Sequence, residues 1–327
     1  MPTPYHRAAV HLRHASSVAV CAHVRPDGDA IGSVLGLTLA LRAAGVPAVP
    51  LLAENTSPPT TYEFLPGFGL LTSAIEIEQP DVFVALDTPN PGRLGDAEGM
   101  ALAARELIVI DHHPDNELYG SIDIVEPGAS ATAQLVWRLA ERLEVERTAD
   151  IALCCYTGLL TDTGRFAYDN TTPAALRDAA DMIEAGVVPS EVARLIYQER
   201  TPAALAIEAR VLSRLTKANG GRVVYSWLTD EDYAETGAQS SDGEDLPDAV
   251  RRIGGVDVAV LLRITAGEVR GNLRAKTGFD VGSVARNFGG GGHAPAAGFT
   301  FEGCLEDLLP ELFAQLPGAD DGAAPHS

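Results

Sequence analysis

The chain has 327 residues, a length that suits two domains with a core each, and it is 46% hydrophobic. Its formal net charge of −21, from 45 acidic and 24 basic residues, argues against a basic surface that grips long duplex nucleic acid. No apolar run approaches the roughly 20 residues of a membrane helix, and the amino terminus lacks the apolar block of a secretory signal. The four cysteines form no C-x-x-C pair. We therefore expect a globular, cytoplasmic protein without a membrane segment.

The first part of the chain alternates between predicted strands and helices. Strands are predicted over 17–23, 48–52, 81–87, 106–111 and 121–125, and helices over 30–45, 130–143, 148–164 and 172–186. The runs DVFVALD and ELIVID are continuously apolar and end in aspartate, which is typical of strands buried on both faces of a parallel sheet. This pattern predicts an α/β fold with a doubly wound, mostly parallel sheet over residues 1–188.

The second part has a different pattern. A charged, mostly helical stretch over 189–218 is predicted to link the first domain to a smaller α/β domain with a mixed sheet over 219–316. Its predicted elements are a strand over 222–228, an acidic loop over 230–248, a helix near 247–254, a hairpin of strands over 256–264 and 269–276, and a helix over 280–288. The glycine-rich run NFGGGGHAPAAG follows, and residues 317–327 are expected to be disordered.

Carboxylates and imidazoles follow the apolar elements of the first domain. They are His23, Asp27, Asp29, Asp87, Asp111, His112, His113 and Asp162. Each one by itself is equally typical of a turn, a helix cap or a surface histidine. Because ligands of open parallel sheets bind outside the carboxyl ends of the strands, we expect these side chains to converge. So many carboxylates would repel one another without a cation, and mixed oxygen and imidazole donors favour Mn²⁺ over Mg²⁺ or Ca²⁺.

The motifs HVRPDGDAIGS, ALD at 85–87, DHHP and GLLTDTG resemble, in this order, the successive motifs of the DHH phosphoesterases. The run GGGGHAPAAG is similar to the glycine-rich signature of the DHH-associated carboxy-terminal domain. The likeness extends from about residue 10 to residue 315, and the order and spacing look most like the bacterial nanoRNase/pAp phosphatase subgroup.

The resemblance implies two Mn²⁺ ions in the active site. His23, Asp27 and Asp87 would hold one ion, and Asp29, Asp87, His112 and Asp162 would hold the other, with Asp87 bridging. Asp111 would orient an imidazole, and His113 would face the substrate phosphate or its leaving oxygen, so that Asp87, Asp111 and His113 are the predicted catalytic residues. Arg165 has no role that the family pattern assigns.

The same resemblance assigns substrate binding to the second domain. Arg274, the glycines of the 289–292 run (Gly290, Gly291 and Gly292 among them) and His293 would bind the terminal phosphate of the substrate. Glycine leaves the backbone N–H groups accessible to an anion, although a glycine run alone is as typical of a turn between a helix and a strand. A clamp on a terminal phosphate would favour short substrates.

The implied function is a two-metal hydrolase that degrades short RNA oligonucleotides (nanoRNA) to mononucleotides and removes the 3′-phosphate from adenosine 3′,5′-bisphosphate (pAp). A phosphodiesterase for cyclic or linear dinucleotides, such as c-di-AMP or pApA, would use the same residues. An inorganic pyrophosphatase, a single-strand DNA exonuclease and a non-catalytic nucleotide-binding protein are further alternatives. The GGGGH run argues against the pyrophosphatase, and the lack of an extra nucleic-acid-binding domain argues against the exonuclease. The complete ligand set argues against the non-catalytic protein. A monomer and a homodimer are both compatible with the sequence.

Overall fold

A computed structural model of the chain describes residues 3–243 and 246–318, except for the side chain of residue 293. The chain divides into two compact units, Met1–Glu199 and Arg200–Ser327. Each unit is built on a six-stranded sheet. Part of the predicted disordered tail, residues 319–327, lies outside the described residues.

The first unit contains strands β1 to β6 and helices α1 to α7. The strands are β1 Val18–Cys21, β2 Ala48–Leu52, β3 Thr72–Ser73, β4 Val82–Leu86, β5 Glu106–Asp111 and β6 Ile122–Val125. The helices are α1 Pro4–His14, α2 Gly28–Ala43, α3 Glu98–Ala103, α4 Thr132–Arg142, α5 Ala149–Asp162, α6 Pro173–Glu184 and α7 Pro189–Tyr197. A 3₁₀ helix, Pro91–Ala97, precedes α3.

The first sheet has the order β3-β2-β1-β4-β5-β6, and all its neighbouring strands are parallel. Alternate residues of one strand enter different cores: Val18 and Val20 face one cluster, and Ala19 and Cys21 face the other. Both faces are therefore buried, which explains the continuous apolar runs. The predicted parallel α/β fold is confirmed, and the winding direction switches between the adjacent strands β1 and β4.

Helices α2 and α5 approach each other at glycines. A Cβ added to Gly32 would lie 2.4 Å from the carbonyl oxygen of Cys154, and one added to Gly158 would lie 2.8 Å from Oδ1 of Asp29. Larger residues would push the helices apart. The close packing brings the first turn of α2 to the end of α5, and both of these carry predicted metal ligands.

The second unit contains strands β7 to β12 and helices α8 to α12. The strands are β7 Thr216–Ala218, β8 Val223–Thr229, β9 Val258–Thr265, β10 Glu268–Ala275, β11 Gly291–His293 and β12 Ala296–Glu302. The helices are α8 Pro202–Ser213, α9 Asp230–Thr236, α10 Leu246–Arg251, α11 Val281–Asn287 and α12 Leu305–Phe313. The sheet order is β11-β12-β10-β9-β8-β7. Strands β8 and β9 are parallel and the other pairs are antiparallel, so the predicted mixed sheet is confirmed.

The predicted acidic loop over 230–248 is wrong, because its first part is helix α9. Thr229 and Asp232 form a capping box, and acidic residues in the first turn suit the positive end of the helix dipole. Arg214 also neutralises Asp232, with its two terminal nitrogens 2.5 and 2.7 Å from the two carboxylate oxygens. The high density of acidic residues in this segment therefore does not prevent helix formation.

The glycine-rich run is not only a loop, because its last residues form the edge strand β11. Register pairs Gly291 with Gly298 and Gly292 with Ala297. A Cβ on Gly290 would lie 2.2 Å from the carbonyl oxygen of Gly298, and one on Gly292 would lie 2.6 Å from that of Ala296. These two glycines are thus required by strand packing. Strand β12 and helix α12 had no counterpart among the predicted elements.

The stretch 189–218 contains α7, α8 and the short strand β7. Val192 and Ile196 of α7 are buried in the first unit, whereas Ile207 and Val211 of α8 are buried in the second. Among the described residues, no helix combines the length and the apolar character that crossing a membrane requires.

Candidate metal centre

The candidate metal centre lies at the carboxyl ends of β1 and β4, where the winding of the sheet changes direction. His23 follows β1, Asp27 and Asp29 begin α2, Asp87 follows β4, Asp111 ends β5, the two histidines come next, and Asp162 ends α5. Ligand atoms within 4.8 Å of one another form three overlapping groups: His23, Asp27 and Asp87; Asp87, His112 and His113; Asp29, His112 and Asp162. The predicted convergence of these side chains is confirmed.

Asp87 occupies the middle of this cluster. Its backbone has a φ of 56°, a left-handed conformation that aspartate tolerates better than most residues, and the residue is 3% exposed. Oδ2 lies 3.3 Å from Nε2 of His23, and Oδ1 lies 3.5 Å from Nε2 of His112. The two carboxylate oxygens therefore face different imidazoles, as a carboxylate shared by two cations would. Burial raises the pKa of Asp87, but these imidazoles lower it more, so that the pKa lies below its usual value.

Main-chain carbonyls fix the orientation of the two ligand imidazoles. Nδ1 of His23 lies 2.9 Å from the carbonyl oxygen of Val24, and Nδ1 of His112 lies 3.4 Å from that of Ala129. Because a carbonyl oxygen only accepts, each Nδ1 is the donor, which leaves Nε2 as the ring nitrogen that faces the carboxylates. Burial lowers the pKa of His23, yet the hydrogen bond to Asp87 and the charge of Asp27 raise it to about 9.

Asp29 is almost fully buried at the beginning of α4. Its carboxylate accepts hydrogen bonds from the backbone N–H groups of Thr132 (2.7 Å) and Ala133 (2.8 Å), where the helix dipole favours a negative charge. Even so, burial and the charge of Asp87 raise the pKa of Asp29 to about 7. Burial and the charge of Asp29 also raise the pKa of Asp162 well above its usual value. Negative charge thus accumulates here beyond what the protein's own donors compensate.

Asp111 has a different role from the other aspartates, since its carboxylate is already saturated with donors. Oδ1 accepts hydrogen bonds from the backbone N–H of His112 (2.8 Å) and from Nδ1 of His113 (2.7 Å), and Oδ2 accepts one from Asn116 (2.6 Å). The geometry therefore identifies His113 as the imidazole that Asp111 orients. Burial lowers the pKa of His113, but the hydrogen bond to Asp111 and the charges of Asp87 and Asp111 together raise it above its usual value.

Sequence reasoning missed several residues that support the cluster. Besides its backbone contact with Asp29, Thr132 donates through Oγ1 to Asp87 (3.0 Å). Asn116 holds Asp111, and Asn170 donates to the main-chain oxygen of Asp162 (3.1 Å). A threonine at the start of a predicted helix is a weak signal, and Thr132 is 103 positions from Asp29 in sequence. No local pattern relates residues so far apart.

The residues of the cluster fit divalent metal ions. The oxygen and imidazole donors match borderline-hard cations such as Mn²⁺, and two histidines direct Nε2 inward. The raised pKa values of Asp29 and Asp162 show that the carboxylates are crowded in a buried place without enough positive charge. Cations between these oxygens would remove that repulsion.

The predicted phosphate-binding residues lie in the second unit. Arg274 of β10 pairs in register with Ala296 of β12, which pairs in turn with His293 of β11, so these three backbones form one row across the sheet. Nε of Arg274 lies 3.6 Å from Oδ1 of Asp248. Gly291 is exposed, and a Cβ on it would meet nothing within 4 Å. The side chain of His293 lies outside the described residues.

Arg165, to which the motifs gave no role, has a left-handed backbone with a φ of 65°. Its guanidinium carbon lies 4.6 Å from the centroid of the Tyr197 ring. This cation–π contact connects the loop after α5 to α7 and gives Arg165 a structural role.

Comparison with known proteins agrees with the geometry. The family described as "DHH family, N-terminal domain" matches residues 17–159, and the DHHA1 domain matches residues 220–317. The chain is 38% identical to the bifunctional oligoribonuclease and PAP phosphatase NrnA of Thermus thermophilus, over 88% of this chain and 84% of that protein. It is 28% identical to the NrnA of Bacillus subtilis, over 84% of this chain and 86% of that protein.

A solved structure is similar as well. The crystal structure of an exopolyphosphatase-related protein from Bacteroides fragilis superimposes with a TM-score of 0.88 at 25% identity, covering 95% of this chain and 94% of that one. The two domain matches follow the order that the motifs predicted, and the relatives are similar over most of their length. The chain therefore belongs to the DHH family of phosphoesterases and carries a DHHA1 domain.

Proposed function

We propose that this protein is a metal-dependent hydrolase that degrades short RNA oligonucleotides to mononucleotides and removes the 3′-phosphate from pAp. The observation that carries the proposal is the cluster of carboxylates and imidazoles around Asp87. It occurs in a chain that is similar over most of its length to proteins named for these two activities. Both reactions hydrolyse a phosphate ester of a ribonucleotide.

The reaction breaks a P–O bond, adds the oxygen of water to phosphorus and leaves a proton on the departing ribose oxygen. Divalent cations, when bound, would activate the water and offset charge on the phosphoryl oxygens. His23, Asp27 and Asp87 are the proposed ligands of one ion, and Asp29, Asp87, His112 and Asp162 those of the other. Mn²⁺ is the proposed ion, because the site mixes imidazole with carboxylate.

His113 is the proposed proton donor to the leaving oxygen. Asp111 holds its ring through Nδ1 and raises its pKa, which favours the protonated imidazole near neutral pH. Asn116 fixes Asp111 in turn, so the imidazole is oriented before substrate binds. This arrangement needs no covalent nucleophile from the protein.

The second unit would select the substrate. Arg274, the Gly290–Gly292 backbone and His293 are the proposed contacts for the substrate's terminal phosphate, in keeping with the row that Arg274 and His293 share. Asp248 beside Arg274 would keep the guanidinium in place until a phosphate of the substrate replaces part of this ion pair.

The proposal includes a cytoplasmic location, in keeping with four free thiols, and a homodimer stays a prediction.

A substrate panel tests the proposal. The panel contains 5′-phosphorylated RNA dimers to decamers, pAp, c-di-AMP, pApA and pyrophosphate, each assayed with Mn²⁺ and, after chelation, with Mg²⁺. We expect RNA of two to about five residues and pAp to be the best substrates, and activity to fall sharply with Mg²⁺. Faster hydrolysis of c-di-AMP or pyrophosphate than of all RNAs and pAp would overturn the assignment, and equal rates with both metals would overturn the choice of Mn²⁺.

The variant Arg274→Met tests the substrate-binding part separately. It should raise KM for short RNA and flatten the dependence of rate on RNA length, because it removes the terminal-phosphate contact. The matched control is Arg270→Met on the same strand, whose guanidinium pairs with Glu268 in solvent. An unchanged length profile in Arg274→Met would refute this contact.

A further inference from the structure

Arg93 lies beside the metal centre but belongs to none of the motifs. It is in the 3₁₀ helix Pro91–Ala97, a few residues after Asp87. Its carbonyl oxygen accepts a hydrogen bond from the backbone N–H of Val24 (2.8 Å), the residue after His23. The same segment is pressed against Val24 at Gly95, where an added Cβ would lie 2.6 Å from Cγ1 of Val24. Arg93 is thus fixed by its backbone to the His23 end of the cluster.

The guanidinium of Arg93 is half-buried, and within 3–243 and 246–318 it has no hydrogen bond or ion pair. Other arginines of the first unit do have such partners, for example Arg105 with Asp81 (2.8 Å) and Arg138 with Asp178 (3.0 Å). Removing a guanidinium from water without a partner is unfavourable. Acidic residues outnumber basic ones almost two to one in this chain, so the lack of a carboxylate partner points to a ligand from outside.

A second arginine, Arg25, lies in the ligand loop, and its charge acts on Arg93. Arg25 lies between His23 and Asp27 and has a left-handed backbone with a φ of 54°, an uncommon conformation for arginine. Its backbone N–H donates to Oε2 of Glu54 (3.0 Å), which keeps this conformation. Burial lowers the pKa of Arg93, and the charge of Arg25 lowers it further. Two like charges close together mark a place for an anion.

The electrostatic balance depends on the metal ions. Without cations, Asp27 and Asp87 attract Arg93 over distances longer than an ion pair. When divalent cations offset these aspartates, the two arginines outnumber Glu54, the further carboxylate that attracts Arg93 at this end of the site. A phosphate, with several anionic oxygens, matches both the cations and a planar guanidinium fork.

We propose that Arg93, assisted by Arg25, binds a non-bridging oxygen of the scissile phosphate at the His23–Asp27–Asp87 end of the cluster. The inference rests on the proposed function, since it assigns a contact to the same substrate. It gives the first unit a phosphate contact of its own, separate from the one proposed for Arg274.

Four variants test this contact. Arg93→Met removes the charge while keeping the length of the side chain, Arg93→Lys keeps the charge without the fork, and Arg25→Met removes the neighbouring charge. Arg177→Met, an exposed arginine of α6, is the matched control. For each protein we would measure the Mn²⁺ content, the affinity for AMP in Mn²⁺ by calorimetry, and kcat and KM on pApA and pAp. AMP is the product of both proposed reactions.

Arg93→Met should keep its Mn²⁺ content, bind AMP at least tenfold more weakly and lose about 10²-fold in kcat/KM, the usual effect of losing one donor to a reacting oxyanion. Arg93→Lys should recover part of this loss, and Arg25→Met should show a smaller loss. Wild-type affinity and rates in Arg93→Met, or an equal loss in Arg177→Met, would overturn the proposal. Failure of the wild-type protein to hydrolyse either substrate would instead refute the proposed function.

Discussion

Asp87 combines a backbone conformation, a buried position and a charge that few other side chains could supply. Its left-handed φ directs the carboxylate from the end of β4 into the cluster, where it meets imidazoles from two other strand ends. Asparagine also tolerates this conformation. An Asp87→Asn variant can therefore remove the charge while leaving the fold of the loop intact.

We expect Asp87→Asn to lower kcat/KM on pAp at least about 10³-fold, or roughly 4 kcal/mol of transition-state stabilisation, because both proposed metal positions lose a shared anionic ligand. Metal content after dialysis and circular dichroism should be measured together with the rate. Asp115→Asn, two residues after His113 and exposed, is the control and should behave like the wild type. Near-normal rates with full Mn²⁺ occupancy in Asp87→Asn would refute the bridging role.

At the scale of secondary structure, the contact between α2 and α5 determines whether the ligands meet. Gly158 lies where α5 crosses the first turn of α2, and a Cβ there would lie 2.6 Å from Cβ of Ala133 as well as against Asp29. The helices that carry Asp29, Asp162 and Thr132 would have to move apart to admit even one methyl group. The small residue at position 158 is thus a condition for the convergence of the candidate ligands.

Gly158→Ala should therefore destabilise the protein by about 1–3 kcal/mol, the usual cost of overpacking a core, and should weaken Mn²⁺ binding. Gly99→Ala in α3 is the matched control, since a Cβ there meets nothing within 4 Å. Alanine should stabilise that helix by roughly 0.5–1 kcal/mol. Urea denaturation with and without Mn²⁺ measures both the free energy of unfolding and the effect of each substitution on Mn²⁺ binding. An unchanged midpoint and metal affinity in Gly158→Ala would show that the helix contact is looser than the structure indicates.

For the whole molecule, we expect the crowded carboxylates to make the stability of the folded state depend on bound cations. Burial raises the pKa values of Asp29 and Asp162, so the cation-free site costs free energy that bound metal recovers. A ligand that binds only the folded state stabilises it by about 2.7 kcal/mol at 100 times Kd.

Mn²⁺ should accordingly raise the unfolding temperature of the first unit, and a chelator should reverse the shift. None of the residues that the structure describes in the unit containing β7 to β12 belongs to the cluster, so the transition of that unit should change less in the same calorimetric scan. Asp87→Asn provides the control, because its Mn²⁺-dependent shift should be much smaller than that of the wild type. Equal shifts in the two proteins would place the stabilising ion elsewhere.

The sequence by itself determined the parallel sheet of the first unit and the identity of the residues that converge on it. The residue types that follow each strand and the order of the motifs can be read directly from the sequence. Parallel strands bring their carboxyl ends to one edge of the sheet, and this does not depend on the details of side-chain packing. Helix α9 was missed although its capping box of Thr229 and Asp232 is local, and Arg214, which neutralises Asp232, lies 18 positions away. Strand β11 was missed because pairing with β12, not local propensity, makes the glycine run a strand.

Only the tertiary structure decided which groups support the ligands. The contacts of Thr132 with Asp29 and Asp87, the helix approach at Gly158 and the position of Arg93 all join residues that are distant in sequence or use backbone atoms. Backbone donors and close approaches have no residue signature, because any amino acid provides an N–H group and glycine occurs for many reasons. The candidate ligands could therefore be named from residue types, whereas their orientation and electrostatic surroundings depended on how the elements pack.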